Sequence, residues 1–310
     1  YGQSVKKAEQ YGDFYATQVA PRALIILNHT VLGHDKTFQK RFKAVFDKFI
    51  PGLAASLQKG EGTYNVVGPG RIWDFYLTLK AFNATALVPR ENWIEMTLHA
   101  FKEYGAFGCD VGCVPDLVSI RNAYYILREF NALDLVNWTK VTEFVLSMQL
   151  DNGYFTIPWA YGLSSPANTV YAYCFLNASN QLHLINVTRM HEIFQEIYWY
   201  DITVEPYDVY IMETLADLCY YNGFDFNSYF PNVEPVLKAI IPSQDLLFGG
   251  FPYVWNVDPN DTFTTGLVVD AVETYSVLWL FYVCDRFDLF GNDNITISVS
   301  YTHLTLPTKA

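Results

Sequence analysis

Basic residues are scarce in this chain: 20 Lys and Arg stand against 32 Asp and Glu, for a net charge of −12. That balance argues against nucleic acid or an anionic membrane as partner, since both are held by basic patches. No run of Lys or Arg offsets it. Long apolar runs are missing as well. The longest, such as Tyr275 to Cys284, fall short of the roughly 18–20 residues a membrane-spanning helix needs, so no transmembrane segment is expected. The chain opens at Tyr1 without an initiator Met or a leader and reads as mature or as a fragment. Cysteines are few and odd in number: Cys109, Cys113, Cys174, Cys219 and Cys284 form no framework. Cys109-x3-Cys113 is a candidate disulfide or half a metal site. Without a second pair, two separate small thiols, in a loop or in the core, are expected. "GPGRIWDF" at 68–75 lacks the Lys and the spaced second Gly of a phosphate loop and reads as a loop opening a helix.

Apolar and aromatic residues are abundant. Hydrophobic residues make up 51% of 310, with 23 Phe, 23 Tyr and 7 Trp, enough for a sizeable core. No Pro/Gly/Ser-rich linker divides the chain, so a single domain is expected over residues 1–297. Residues 298–310, "SVSYTHLTLPTKA", break the helical pattern, resemble a translated sequencing adapter and are set aside as a non-native tail.

The chain repeats itself about every 48 residues, as the paired positions Asn83 and Asn131 show. "FNATALVPRENWIEMTLHAF" from Phe82, "FNALDLVNWTKVTEFVLSMQ" from Phe130 and "NASNQLHLINVTRMHEIFQEIY" from Asn177 share one plan. A helix ends at Asn, an apolar pair follows (Leu87-Val88, Leu135-Val136, Leu184-Ile185), and a second helix starts near a capping residue such as Asn137. Val141, Phe144, Val145 and Met148 fall at helical spacing and mark a buried face. Second helices close at Gly-aromatic turns (Gly105 with Phe107, Gly153 with Phe155, and Gly249-Gly250-Phe251), where glycine suits a left-handed cap. A first pair is read before residue 51, a fourth from Asp208 to Tyr221 and Asn232 to Ile241, and a last helix from 270 to 287. Stacked pairs of fixed period form an open solenoid or a closed ring.

The stretch "NALDLVNWTKVTEFVLSMQLDNGYF", with "GLSSPANTVYAYCFLNASNQLHLIN", "EPYDVYIMETLADL" and "SQDLLFGGF", resembles the repeats of the protein prenyltransferase beta subunits and squalene cyclases. The likeness is nearest to the Rab geranylgeranyltransferase beta subunits and covers about residues 70–290. It implies an all-α fold, an (α/α) toroid of five to six helix hairpins, whose central funnel the aromatics would line; Tyr171, Tyr210 and Phe251 are the candidate funnel residues. It also implies zinc holding an acceptor thiolate, and a cationic pocket for diphosphate. The zinc positions here hold Asp208, Tyr210 and Glu273, with Asp261 as an alternative third, a poor donor set for a metal that favours thiolate and imidazole. At the cationic positions stand Pro166, Val118, Glu205 and Ile202, although Asp116 of the D-x-R-F segment matches. The cyclases' acidic proton donor is absent.

The expectation is therefore a prenyltransferase-like toroid with degenerate zinc and diphosphate sites, needing no cofactor and binding an apolar, isoprenoid-like ligand or a protein partner. One alternative is an active, divergent transferase of the geranylgeranyl type, assembled with an alpha subunit, its ligands displaced to Asp208, Cys174, Cys219 and His183. Another is a secreted recognition glycoprotein. Seven N-x-[ST] sequons occur, at Asn28, Asn83, Asn137, Asn177, Asn186, Asn260 and Asn294, and Asn137 and Asn186 are the glycosylation candidates. Secretory and cytoplasmic compartments both stay open. His191, Glu192 and Glu196 share a helical face and read as solvated, while "DPND" and "DRFD" read as turn or cap chemistry.

Overall fold

A computed structural model describes residues 68–81, 84–101, 105–109, 114–157, 160–203, 209–241, 251–252 and 269–290, with isolated positions at 26, 36, 40 and 47. These residues are mainly helical: α1 (Pro69–Ala81), α2 (Arg90–His99), α3 (Leu117–Glu129), α4 (Trp138–Ser147), α5 (Pro166–Ala178), α6 (Val187–Thr203), α7 (Val209–Asn222), α8 (Phe226–Tyr229), α9 (Val233–Ile240) and α10 (Ala271–Val283). Strand is confined to two short antiparallel pairs, β1 (Thr156–Ile157) with β2 (Ala160–Ser164) and β3 (Phe251–Pro252) with β4 (Val269–Asp270). The class is all-α, built from helix hairpins. Among the described residues, no helix is long and apolar enough to cross a membrane.

Each hairpin follows from its turn chemistry. After α3 the amide of Ala132 donates back to the Leu127 carbonyl at 2.8 Å, which requires the left-handed φ of 51° at Asn131. After α5 the same bond runs from Gln181 to Leu176 at 2.7 Å, with Asn180 at φ 59°. Asparagine takes this conformation more readily than other side-chain-bearing residues. A 3-10 turn follows (Thr85–Leu87, Leu133–Leu135, Leu182–Leu184), and the next helix begins. Asn137 caps α4 by accepting from the Lys140 amide, and Asn186 accepts from the Arg189 amide in the first turn of α6. At the far ends, Gly105 (φ 80°) and Gly153 (φ 93°) turn the chain so that Phe107 and Phe155 are fully buried. Phe107 bridges Phe101, and Phe155 bridges Gln149. The expected Gly-aromatic turns thus hold at these two positions; Gly249, Gly250 and residues 298–310 lie outside the described residues, as does the first helix pair apart from the isolated positions 26, 36, 40 and 47.

The chain divides into two compact units. One comprises residues 36–199 and 220–223, so it holds α1 to α5, most of α6 and the last turn of α7. In it α1, α3 and α5 lie side by side in succession, and α2 packs against both α1 and α3. Its core includes Phe75, Trp93, Phe107, Ile120, Val141, Val145, Phe155, Phe175 and Phe194, all below 2% exposed. The other unit comprises residues 1–35, 200–219 and 224–310. There Ser276 and Trp279 of α10 donate to Glu213 and Asp217 of α7 at 2.6 and 3.1 Å, and the Asn227 amide donates to the Cys284 carbonyl at 2.8 Å. The last helix stops at Val283 instead of 287, because Asp285 turns left-handed (φ 52°) and a 3-10 turn follows.

Candidate functional site

The side-by-side helices α1, α3 and α5 bring one connected aromatic layer together in the larger unit. Tyr125 on α3 lies 5.2 Å from the Trp73 ring of α1 and 5.4 Å from Tyr221 in the last turn of α7. Trp73 stacks on Tyr76 at 5.6 Å and donates its indole N–H to the Tyr221 hydroxyl at 3.4 Å. One turn back on α3, the Arg121 guanidinium sits over Tyr171 of α5 at 4.5 Å and within 5.8 Å of Tyr221. Arg121 is only 5% exposed, and its Nε donates to Asn122 Oδ1 at 3.1 Å. A buried guanidinium keeps its charge, so aromatic faces and amide oxygens must replace its water; each cation–π contact contributes about 0.5–2 kcal/mol. One further turn along α3, Arg128 lies 5.1 Å from the Tyr125 ring.

Polar groups close the layer. Tyr76 donates to Glu129 at 2.7 Å, and Lys80 bridges the same carboxylate at 3.5 Å. Burial, helped by Glu129, pushes the Tyr76 phenol well above its usual value; burial does the same for Tyr125. Both phenols stay neutral at physiological pH. Asn177 Nδ2 donates to Asn222 Oδ1 at 2.6 Å, and Asn222 Nδ2 reaches the Cys174 sulfur at 3.4 Å.

Of the expected funnel residues, Tyr171 belongs to this layer and is 7% exposed, whereas Tyr210 on α7 is 49% exposed and lies in the other unit. Phe251 opens β3. Glu273 falls in the first turn of α10, while Asp208, Glu205 and Asp261 lie outside the described residues. The displaced-ligand candidates scatter: Cys174 is buried in the aromatic layer, Cys219 is buried in the other unit, and His183 is exposed on a 3-10 turn. Among the described residues, no three His, Cys, Asp or Glu side chains converge as metal ligands. Val118 sits half-buried in the first turn of α3, and Pro166 is the first residue of α5, capped by Ser165.

Asp116 is the N-cap of α3, its carboxylate accepting from the Ser119 amide at 2.7 Å and hydroxyl at 2.9 Å. Burial raises its pKa, opposed by hydrogen bonds from Ser119, Cys109 and Val118. The Cys109 contact corrects an expectation. Cys109 is disulfide-bonded and not a separate thiol, whereas Cys174, Cys219 and Cys284 are free; Cys113 lies outside the described residues. The backbone bridge between Gly108 and Pro115 pinches the ends of this loop together, a closure that spacing alone does not reveal.

Sequence reasoning missed Arg121. The only signal was Arg-Asn interrupting the apolar run "IRNAYYIL" in mid-helix. On the outer side of the same unit, Arg189 of α6 bridges Glu196 at 2.6 Å and Glu192 at 3.2 Å, as expected of a solvated face, but His191 turns away to the rings of Tyr173 and Phe194. Burial lowers the His191 pKa.

No protein-family model matches the chain, and no curated protein matches it in sequence. Among solved structures it is similar to Candida albicans protein geranylgeranyltransferase-I complexed with GGPP, at 16% identity and a TM-score of 0.48, over 75% of this chain and 71% of that one.

Proposed function

We propose that the chain is a prenyltransferase-like toroid that has kept the hairpin scaffold without the transfer chemistry, and that it binds an apolar, isoprenoid-like molecule against its aromatic layer. The supporting observation is the connected cluster of Trp73, Tyr125, Tyr171 and Tyr221 from four helices, in which Tyr171 and Tyr221 flank the Arg121 guanidinium and Tyr125 joins Tyr221 to Trp73. These rings pack on one another at 5.2 and 5.4 Å, and Tyr221, the half-buried member, is where a branched, unsaturated hydrocarbon, which gains from dispersion and loses no hydrogen bonds on leaving water, would extend the stack. Closure of the hairpins into a ring belongs to this proposal.

The residues at the aligned zinc positions do not fit the metal. A phenol and two carboxylates offer neither thiolate nor imidazole, so no step is routed through zinc. Val118 and Pro166 offer diphosphate no charge, and a proline lacks even the backbone N–H. An alpha-subunit partner is not required for ligand binding, which this chain would perform alone.

Titrating the purified chain with a fluorescent geranylgeraniol analogue, with energy transfer from tryptophan as readout, tests this. Saturable binding is expected, weakened about tenfold by Tyr221→Ala, with no thioether formed when geranylgeranyl diphosphate, zinc and a cysteine peptide are supplied. Zinc-dependent thioether formation, or no saturable binding, overturns it.

A further inference from the structure

Three of the seven sequons lie among described residues, and the structure treats them differently. Asn137 and Asn186 are exposed. Each spends its side-chain carbonyl Oδ1 on a helix cap, accepting from the amides of Lys140 and Arg189 at 3.4 and 3.0 Å. Among the described residues, the Nδ2 atom, the one that N-glycosylation modifies, bonds to nothing at either site. Cap and sugar therefore use opposite ends of the same amide. The sequon hydroxyls, Thr139 and Thr188, are exposed as well. Asn186 also lines an open surface groove, shared with polar Gln149, Asn152 and Arg189 and apolar Leu150, Leu184 and Ile185.

Asn177 is the opposite case. Its Nδ2 is committed to Asn222 Oδ1 at 2.6 Å, between α5 and the last turn of α7. Its sequon hydroxyl, Ser179 Oγ, is turned back onto the carbonyls of Phe175 and Leu176 at 2.8 and 3.3 Å. A sugar on this nitrogen would have to displace the bond to Asn222.

A second feature is independent of the sequons: Cys109 is disulfide-bonded, and such bonds persist in oxidising compartments, where the glycan donor is also found. A third concerns surface. Leu135 and Leu184, two residues before each candidate, are 54% and 45% exposed, and a glycan there would cover apolar side chains that otherwise face water.

We infer that Asn137 and Asn186 carry N-linked glycans and that Asn177 does not. The donor is an oligosaccharide linked to a polyprenyl diphosphate. The bond from the sugar C1 to the diphosphate oxygen breaks, a bond from C1 to Asn Nδ2 forms, the nitrogen loses one proton, and polyprenyl diphosphate leaves. Transfer occurs on the unfolded chain; the fold then retains only molecules whose modified nitrogens face solvent. This assignment does not depend on the ligand proposed above.

The test is secretion of the full chain, behind a cleavable leader, from a eukaryotic cell, followed by peptide mass spectrometry after glycosidase release in heavy-oxygen water. Isotope-tagged Asp is expected at 137 and 186 and unmodified Asn at 177. Thr139→Ala and Thr188→Ala should each abolish one glycan while the capping Asn stays, so secretion is preserved. Unmodified Asn137 or Asn186, or a glycan on Asn177, in the folded secreted protein overturns the inference.

Discussion

Two arginines in the larger unit divide its inner and outer faces. Arg121 is held in the core by tyrosine rings and an amide oxygen; Arg189 is held at the surface by two glutamates. A desolvated cation depends on neighbours that cannot move away, and its removal leaves a gap among packed rings. A surface cation exchanges protein oxygens for water at little cost, and salt screens what remains. The same residue type thus fixes helix positions on one face and merely decorates the other.

Removing each in turn is the sharpest way to break that contrast. Arg121→Ala should cost about 2–4 kcal/mol in urea unfolding, with little dependence on salt, and Arg121→Lys should not restore it, because ammonium lacks the planar face that stacks on Tyr171. Arg189→Ala should lower the midpoint only slightly, and the difference should vanish in about 1 M salt. Equal costs for the two would remove the distinction.

Backbone positions give the next effect. Gly153→Ala forces a side chain onto φ 93° and brings its Cβ to 3.1 Å from both Arg189 and Ile193, costing about 1–3 kcal/mol. Gly223→Ala, at φ 71° with open space around it, should cost about 1 kcal/mol or less. The ranking is read from thermal midpoints.

Asp116 tests the inner face through its cap. Asp116→Ala loses the cap, at about 1 kcal/mol, while Asp116→Asn keeps it without burying a charge. The Asp116 carboxyl has a raised pKa when folded. Its contribution is therefore fully present below the unfolded carboxylate value and is lost as pH rises through the folded one. The gap between wild type and Asp116→Asn should accordingly widen towards neutral pH in the mutant's favour. The smallest effect belongs to Glu234, held at about 2 by Lys238 and Arg286. Its lowered value stabilises above the ordinary carboxylate range and is lost as pH falls from there towards about 2. Glu234→Gln should flatten the acid limb of the stability curve in that window alone.

The turns and helices were legible in the chain because their chemistry is local. Asn131, Gly105, Gly153 and the Asn137 cap each act within a few residues. The fourth hairpin also fell at α7 and α9, within one residue of where periodicity placed it. The inner layer was not legible. Periodicity marks which face of α3 is apolar but cannot tell that Arg121 is buried there beneath Tyr171, 50 residues away, because helix crossings decide that. Tyr171 and Tyr210 looked alike as funnel residues, yet one is enclosed and the other half in water. The Cys109 bond stood in the sequence only as one candidate reading beside separate thiols, since sequence spacing is silent about loop closure.

Asn131 and Asn180 occupy matching turns, both left-handed, both asparagine. Helix faces can be repacked by many combinations of apolar residues, but few residue types satisfy such a corner. Duplicated hairpins are thus free to diverge along their lengths while their corners stay alike, and common ancestry among the units is best sought by aligning corners first and helices afterwards.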